Sequence, residues 1–432
     1  MHLVPNTNEI GDLKQLRIMV PYPRTSIGGI ETLTCSIINE LAGLVDAVVW
    51  VLPDSLRHLA QSLKSSGRLV VESSEWPPGS MQAYSGVLSR WLPEAFRRHD
   101  SSDQARSLTT GKLQQRLEHL IKKHRISHCL FTWIPWGLAV PRLRVPVVAI
   151  VHDRNWSRFP ENFVNYSPAL LDGNLKEWVQ CAHAIVTPSR LVQTEVRELA
   201  PQFGAKVKVV PEAAGIVIHE SRQYDQQGTA SDTTPIFYYP GTAGAHKGHL
   251  TLFEATLKLA SAGHQFKVVL TGDRTELLTG CQPAPIPQVE QCRNFYLKHE
   301  DILQQHIESL GFCDKQQVEK LYSSSRRVVL PSRYEGFGLP LIESIARGCR
   351  VICSDIEPYQ EQIEQFRCAD FVQVFPAGEF QALASYMERS LLDSDPRRIS
   401  AGEAEAVAGR WTWRDAAGAI LSILEETSGS AS

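Results

Sequence analysis

The feature that most constrains the fold is a regular alternation of short apolar segments with segments of helical periodicity along this 432-residue chain. Most of the apolar segments are hydrophobic at nearly every position, as strands buried on both faces of a parallel sheet must be. Helical segments fall between them, where the crossover connections of parallel strands are expected. The sequence therefore predicts the α/β class, with doubly wound parallel sheets.

Seven apolar segments in the first half of the chain and five in the second are predicted strands. They span residues 17–23, 47–53, 68–72, 128–134, 145–153, 182–189, 207–212, 236–240, 267–272, 327–331, 350–355 and 371–375. Between the two series, the polar segment 221–234 contains almost nothing that can fill a core, which marks a domain boundary. The predicted domains are an N-terminal Rossmann-like domain (1–220), a linker (221–234), a second Rossmann-like domain (235–398) and a C-terminal helical segment (399–432).

Charge and composition exclude several classes of function. The 44 Lys and Arg residues balance 47 Asp and Glu residues, so the basic excess of a dedicated duplex-binding protein is missing. No apolar stretch approaches the roughly 20 residues that cross a bilayer, and the N-terminus shows no secretory signal. Nine scattered cysteines without a CxxC pair are typical of reduced thiols. We expect a cytoplasmic protein that binds no nucleic acid.

The segment 331–343 carries the most chemical information, because ligands of open α/β sheets bind at the carboxyl ends of the strands. It follows a predicted strand, contains two glycines and opens a helix, so its free N–H groups suit a pyrophosphate. Glu335 can accept hydrogen bonds from sugar hydroxyls, and Glu343 can bind a ribose diol. A solvated loop residue and a favourable first-turn acid are the alternatives for the two glutamates.

A second candidate is the segment 238–249, where a strand ends in a glycine turn and Lys247 stands at the start of a helix. A cation beside N-terminal amides is suited to a diphosphate, including a leaving nucleoside diphosphate whose charge grows as a glycosidic bond breaks. The alternative is a capping loop with an exposed lysine. Lys247 and Glu335 are both expected at exposed strand ends.

Two weaker candidates lie in the first half of the chain. Gly28 and Gly29 form a glycine turn into a helix after the first strand, where they either approach a phosphate or only relieve strand-to-helix contacts. His152 follows a later strand and can contact a sugar hydroxyl or carry a proton. Its alternative role is a structural hydrogen bond to the loop.

With these residues in place, the sequence resembles the two-domain GT-B glycosyltransferases, specifically the retaining glycosyltransferase family 4, also called glycosyl transferases group 1. The most specific match is the two-glutamate motif Glu335–x7–Glu343. Supporting matches are Gly28–Glu31, Val186–Ser189, Lys247–Gly248, Ser354–Asp355 and Trp413 in a terminal helix. The resemblance implies two Rossmann-like domains facing a cleft, with a C-terminal helix that crosses back to the first domain. It also implies transfer of a hexose from a nucleotide-sugar donor with retention, without a metal or other cofactor.

The resemblance assigns a role to each candidate residue. Glu335 would face the donor sugar, Lys247 would bind the diphosphate and Glu343 the ribose. Glu335, Lys247 and His152 are the predicted catalytic residues. The predicted donor-binding residues are Gly28, Gly29, Thr242, Lys247, Phe337, Gly338, Leu339 and Glu343.

One departure from the family pattern is Thr242, which stands where family members commonly carry an arginine, five residues before the lysine. A subset with a His-Lys pair, here His246-Lys247, also lacks that arginine and resembles bacterial mannosyltransferases of surface-polysaccharide synthesis. GDP-mannose is therefore the first donor to test, with UDP- and dTDP-sugars open. The acceptor is a glycan, a lipid-linked sugar or a small molecule. A nucleotide-sugar epimerase and a catalytically silent scaffold partnering an active glycosyltransferase are the alternative functions.

The segments 76–99 and 275–300 have no role in this scheme. Residues 81–99 mix apolar and aromatic residues with a basic end that contains Arg90, Arg97 and Arg98. That composition suits peripheral contact with anionic lipid on the inner face of a membrane. Pro93 interrupts the helical pattern, however, and aromatic residues at this spacing also pack beneath loops. Both interpretations stay open.

Overall fold

The computed structural model describes residues 14–22, 29–61, 63, 67–73, 103–134, 140–163, 167–215, 234–280, 282–284, 286–393 and 398–428. The chain divides into two compact units. Unit one is Met1–Arg154, Asn165–Gly215 and Thr412–Ser432, and unit two is Asn155–Val164 and Ile216–Trp411. Most of the predicted linker 221–234 and all of the segment 76–99 lie outside the described residues.

Unit one is built on a seven-stranded parallel sheet of order β3-β2-β1-β4-β5-β6-β7. Its strands are β1 (Lys14–Pro21), β2 (Val45–Leu52), β3 (Leu69–Ser73), β4 (His128–Phe131), β5 (Val147–Ile150), β6 (Ala184–Thr187) and β7 (Val207–Val209). Every residue of β4, β5 and β6 is buried. All seven strands predicted in this half of the sequence are present.

Unit two contains a six-stranded parallel sheet of order β10-β9-β8-β11-β12-β13. Its strands are β8 (Ile236–Pro240), β9 (Lys267–Thr271), β10 (Ile307–Ser309), β11 (Arg327–Leu330), β12 (Val351–Ser354) and β13 (Val372–Phe375). The sequence predicted five of these and missed β10. This edge strand has three residues, of which Glu308 and Ser309 are polar, so it leaves no apolar run.

Helices flank both sheets. They are α1 (Gly29–Leu41), α2 (His58–Gln61), α3 (Asp103–His124), α4 (Asn155–Arg158), α5 (Pro168–Cys181), α6 (Arg190–Leu199), α7 (His249–Ser261), α8 (Pro287–Lys298), α9 (Glu300–Leu303), α10 (Lys315–Ser324), α11 (Pro340–Ala346), α12 (Glu357–Phe366), α13 (Phe380–Leu392), α14 (Ala401–Ala408) and α15 (Trp413–Ser428). Alternating parallel strands and helices confirm the predicted class.

The segment 275–300, unassigned from sequence, contains the amphipathic helix α8. Its buried residues include Val289, Cys292 and Tyr296, and the Tyr296 ring lies 6.1 Å from the ring of Phe253 on α7. The segment therefore completes one side of unit two.

The C-terminal helix α15 belongs to unit one, as the predicted architecture requires. It buries Trp413, Ala416 and Ile420 and packs against α1. The return to unit one begins at residue 412 rather than at the predicted 399, because α14 packs against α11 in unit two. Unit two also takes in the short segment 155–164 from the predicted N-terminal domain.

Candidate active site

The candidate site lies at the carboxyl ends of β8 and β11, the two central strands of the unit-two sheet. These strands pair directly, with Arg327 opposite Phe237 and Val328 opposite Tyr238. From β8 the sheet continues through β9 and β10 on one side, and from β11 it continues through β12 and β13 on the other. The strand order therefore reverses direction between β8 and β11. Such a switch point is the usual ligand site of a doubly wound sheet. Lys247 comes after β8, and Glu335 comes after β11.

The loop after β8 turns through Ala245–Lys247 as one turn of 3-10 helix and reaches α7 at Gly248. Gly248 has φ +68°, in the left-handed region. A Cβ atom at this position would lie 1.9 Å from the carbonyl oxygen of Pro331. The absence of a side chain at Gly248 thus brings the two site loops into direct backbone contact.

Lys247 and Glu335 form an ion pair. The Nζ atom of Lys247 donates hydrogen bonds to both carboxylate oxygens of Glu335, at 2.7 and 2.9 Å. The side chains are only 14% and 11% exposed, although the sequence predicted exposed strand ends. Each charge compensates the other, which allows both to be withdrawn from water.

A layer of buried hydroxyl groups beneath the ion pair fixes its geometry. Ser332 donates to Glu335 Oε1 at 2.7 Å, and Tyr239 donates to the carbonyl oxygen of Lys247 at 2.8 Å. Tyr359 donates to Ser332 Oγ at 3.3 Å, and Ser354 donates to the Ser332 carbonyl. Burial, reinforced by the Glu335 carboxylate, raises the pKa of Tyr239 and Tyr359 well above 10. Both phenols therefore remain hydrogen-bond donors at any physiological pH.

The loop that follows Glu335 presents backbone amides. Gly338 has φ +91°, and a Cβ atom there would lie 2.5 Å from the Tyr359 ring. The amide of Gln362 donates to the carbonyl oxygens of Phe337 and Gly338, at 2.6 and 3.2 Å. Within the described part of the chain, the N–H groups of Phe337, Gly338 and Leu339 have no acceptor. These three amides, called the amide cradle below, have no protein partner among the described residues and are available to an anion.

Glu343 lies in the first turn of α11, with its side chain 21% exposed. Its Oε2 atom is 3.9 Å from Nη1 of Arg347, four residues further along the helix. The Nε and Nη2 atoms of Arg347 donate hydrogen bonds to Oε1 of Glu319, at 3.0 and 2.9 Å. The guanidinium also lies 4.7 Å from the centre of the Tyr322 ring. Arg347 thus holds a positive charge near the Glu343 carboxylate.

The remaining residue predicted for the donor in unit two is Thr242, which is exposed on the loop after β8. Among the described residues no cluster of three or more His, Cys, Asp or Glu side chains is arranged to hold a metal ion. No described helix is both long enough and apolar enough to span a bilayer.

The other candidates, His152, Gly28 and Gly29, belong to unit one. His152 follows β5, and its Nε2 donates to the carbonyl oxygen of Thr132 at 2.7 Å. Its Nδ1 lies 3.4 Å from Oε1 of Glu212, a residue that the sequence did not single out. The structural hydrogen bond to a loop is therefore present, and a contact between His152 and a sugar stays a prediction. Gly29 begins α1, and Gly28 lies outside the described residues.

The sequence identified Lys247 and Glu335 as separate candidates, but it did not predict their ion pair or the residues that support it. Ser332 and Ser354 lie at strand ends within recognised segments, so their positions carried a signal. Tyr359 and Gln362 lie on α12, remote in sequence from both loops, and only the fold brings them beneath the site.

A family model matches the part of the chain that contains this site. Residues 220–405 match the family model described as "Glycosyl transferases group 1". This region is therefore similar to a group 1 glycosyltransferase domain. It contains Lys247, Glu335, Glu343 and the amide cradle, so the predicted resemblance to glycosyl transferases group 1 is confirmed, whereas family 4 and retention stay predictions.

Individual proteins resemble the chain over different lengths. O-antigen chain mannosyltransferase B of Escherichia coli is 30% identical over 109 residues, which are 25% of this chain and 27% of that protein. Alpha-D-kanosaminyltransferase of Streptomyces kanamyceticus is 22% identical over 392 residues, or 87% of this chain and 94% of that protein. The structure of HepE from Anabaena in complex with UDP and glucose aligns with a TM-score of 0.64 and 18% identity, covering 95% and 100% of the two chains. The structural likeness supports the predicted fold.

Proposed function

We propose that the chain is a retaining hexosyltransferase that moves a hexose from a nucleotide-sugar, with GDP-mannose as the first donor to test. The acceptor is a glycan, a lipid-linked sugar or a small molecule. The observation that carries this proposal is the Lys247–Glu335 pair at the switch point of the sheet, beside three amides without a protein acceptor. The similarity to a mannosyltransferase supports the donor sugar, and a solved complex with UDP and glucose supports a nucleotide-sugar site.

Transfer breaks the bond between the anomeric carbon and the diphosphate oxygen, and the electron pair stays on that oxygen. Negative charge therefore grows on the diphosphate as the bond breaks. Lys247 and the amides of Phe337, Gly338 and Leu339 are assigned to stabilise this charge. Because they meet the growing charge in a fixed arrangement, they stabilise the transition state more than the bound donor.

Glu335 and Glu343 are assigned to the sugar and to the ribose. Ser332 and Lys247 hold the Glu335 carboxylate, whose remaining lone pairs can accept hydrogen bonds from hexose hydroxyls. Glu343, with the positive charge of Arg347 3.9 Å away, is assigned to accept hydrogen bonds from the ribose diol. Retention requires the acceptor oxygen to bond to the anomeric carbon on the face that the diphosphate leaves, and the proton of the acceptor hydroxyl passes to the departing diphosphate oxygen. Contacts of Gly28, Gly29, Thr242 and His152 with the donor belong to the same proposal.

A donor panel tests the function. Purified protein is mixed with GDP-mannose, UDP-glucose and dTDP-glucose, and the melting temperature identifies the donor because ligand binding stabilises the folded state. Release of nucleoside diphosphate is then followed with and without sugar acceptors, and NMR of the anomeric proton gives the product configuration. Product with the donor's anomeric configuration supports the proposal. Inverted product, interconversion of the free donor sugar, or no binding of any donor would overturn it, the last two outcomes favouring an epimerase and a silent scaffold.

A further inference from the structure

Three segments of unit two meet at His246, the residue before Lys247. The carbonyl oxygen of His246 accepts a hydrogen bond from the N–H of Arg333 at 2.7 Å, which joins the loop of Lys247 to the loop of Glu335. The His246 ring contacts Asn155 and Asn162. Those two asparagines lie in the short segment 155–164, which comes from the first half of the sequence but belongs to unit two.

The orientation of both asparagine amides follows from one backbone donor. The N–H of Ala245 donates to Asn162 Oδ1 at 2.9 Å, so the NH₂ group of Asn162 is on the other side. That NH₂ group donates to Asn155 Oδ1 at 3.3 Å and to His246 Nδ1 at 3.1 Å. Since Asn155 Oδ1 accepts from Asn162, its own NH₂ group is the one that faces His246 Nδ1, at 3.2 Å.

Two amide donors therefore point at one ring nitrogen. An Nδ1 atom that receives N–H groups acts as an acceptor and cannot carry a proton, so the imidazole holds its hydrogen on Nε2. Protonation of Nδ1 would place three donors against one another. Burial of the ring, together with the positive charges of Lys247 and Arg274, also lowers the pKa of His246 well below its ordinary value.

An aromatic contact supports the same junction. The ring of Phe159, which is 7% exposed, lies 6.0 Å from the His246 ring and 6.5 Å from the Tyr334 ring. The guanidinium of Arg333 lies 5.6 Å from the centre of the Phe159 ring. The segment 155–164 thus contacts both loops that carry the ion pair.

We propose that Asn155, Asn162 and His246 form a positioning network that keeps His246 in its neutral Nε2–H form. The network thereby fixes the positions of Lys247 and Glu335 relative to each other for the reaction. His246 is a positioning residue, since it acts through Lys247 and Glu335. This inference rests on the proposed function for its effect on catalysis. The protonation state of His246 can be measured independently of any activity.

The His246 ring must stay neutral because several charged groups already lie on the elements around it. Charged or titratable residues on the loops and helices around the ring are Arg158, Glu161, Lys247, His249, Arg274, Arg333 and Glu335. An imidazolium beside Lys247 would repel the ammonium group and compete for Glu335, and its Nδ1–H would expel the two amides. A protonated His246 therefore disrupts the junction of the two loops.

The first experiment is nitrogen-15 NMR of the histidine rings in the full chain between pH 5.5 and 8.5. The His246 resonances are assigned by their loss in His246→Asn. We expect a protonated Nε2, an unprotonated Nδ1 and no titration in this range. A wild-type His246 that titrates between pH 5.5 and 8, or that carries its proton on Nδ1, would overturn the proposal.

The second experiment uses Asn162→Asp, which replaces an amide donor to His246 Nδ1 by a carboxylate acceptor. The carboxylate still accepts from Ala245 but now requires a hydrogen on His246 Nδ1, so it raises the pKa of His246 toward the ordinary range. We expect kcat/KM to gain an acidic limb that falls about tenfold per pH unit below the new ionisation. Asn294→Asp, which adds the same charge at an exposed position of α8, is the control and should leave the profile unchanged.

Two substitutions of His246 distinguish the effect of its Nδ1 acceptor from the effect of side-chain packing alone. Asn at position 246 can keep an acceptor where Nδ1 lies, whereas leucine cannot. We expect His246→Asn to retain most of kcat, His246→Leu to lose at least tenfold, and Asn162→Asp/His246→Asn to lack the acidic limb. Equal activity of the asparagine and leucine variants, or a limb that persists in the double variant, would refute the positioning role. If the wild type transfers no sugar from any donor, the proposed function fails, whereas the NMR result still decides the state of His246.

Discussion

Replacing Gly248 by alanine tests whether close backbone contact between the two site loops holds the site together. The added Cβ atom would lie 1.9 Å from the Pro331 carbonyl oxygen, and backbone cannot yield as a flexible side chain does. Gly263 offers a matched control, because it has φ +88° but no heavy atom within 4 Å of an added Cβ. The two substitutions share the conformational penalty and differ in the clash.

The expected magnitudes follow from these two terms. A non-glycine residue in the left-handed region costs about 1–2 kcal/mol, and this is the whole effect expected for Gly263→Ala. Overpacking against a fixed neighbour costs about 1–3 kcal/mol more, so Gly248→Ala should lose about 2–5 kcal/mol of the free energy of unfolding. At about 2–4 °C per kcal/mol for a domain of this size, the clash alone should lower Tm by about 2–12 °C relative to Gly263→Ala.

Differential scanning calorimetry of both variants measures the difference, and donor turnover measures its effect on the site. We expect Gly248→Ala to melt below Gly263→Ala and to lose turnover at temperatures where both remain folded, because Lys247 precedes the displaced residue. Gly263→Ala should retain wild-type turnover. Equal melting temperatures and equal turnover for the two variants would refute the inference that contact at Gly248 positions Lys247.

Three further predictions concern the donor, metals and lipids. Glu343→Ala should raise the donor Kd with a smaller loss of kcat, because a ribose contact exists in both the ground state and the transition state; titration calorimetry and steady-state kinetics separate the two effects. Activity should persist in excess EDTA, since Lys247 and the amide cradle already supply positive charge to the diphosphate, and full loss of activity restored by manganese or magnesium would contradict this. If the segment 81–99 contacts membranes, wild type should sediment with anionic vesicles at low salt and the triple variant Arg90/Arg97/Arg98→Glu should not; equal retention in the supernatant would remove the membrane role.

Sequence patterns predicted the strands of both sheets wherever a strand is buried on both faces, because such strands leave continuous apolar runs. β10 was missed because two of its three residues, Glu308 and Ser309, are polar, so the strand leaves no such run. The assignment of the segment 155–164 to unit two was missed for a different reason. Its residues carry no composition that distinguishes unit one from unit two, and its assignment depends on contacts of Asn155, Phe159 and Asn162 with distant loops.

The charged residues of the site could be found from sequence because strand ends, glycine turns and helix starts mark where a doubly wound sheet binds ligands. The ion pair between Lys247 and Glu335 could not be found, since 88 residues separate the partners and only the pairing of β8 with β11 brings them together. The same limit applies to Tyr359 and Gln362. Burial of the pair was also mispredicted, because two charges that neutralise each other can be withdrawn from water where either alone could not.

The most direct test of the proposed site compares kcat of Lys247→Ala with that of Lys258→Ala at saturating donor. Both variants remove one lysine charge, and Lys258 is exposed in the last turn of α7. Removal of a group that stabilises developing charge costs about 10²–10³ in kcat, so Lys247→Ala should lose at least about a hundredfold while Lys258→Ala stays close to wild type. Circular dichroism at the assay temperature confirms that both are folded. A folded Lys247→Ala protein with wild-type kcat would contradict the assignment of Lys247 to the leaving diphosphate.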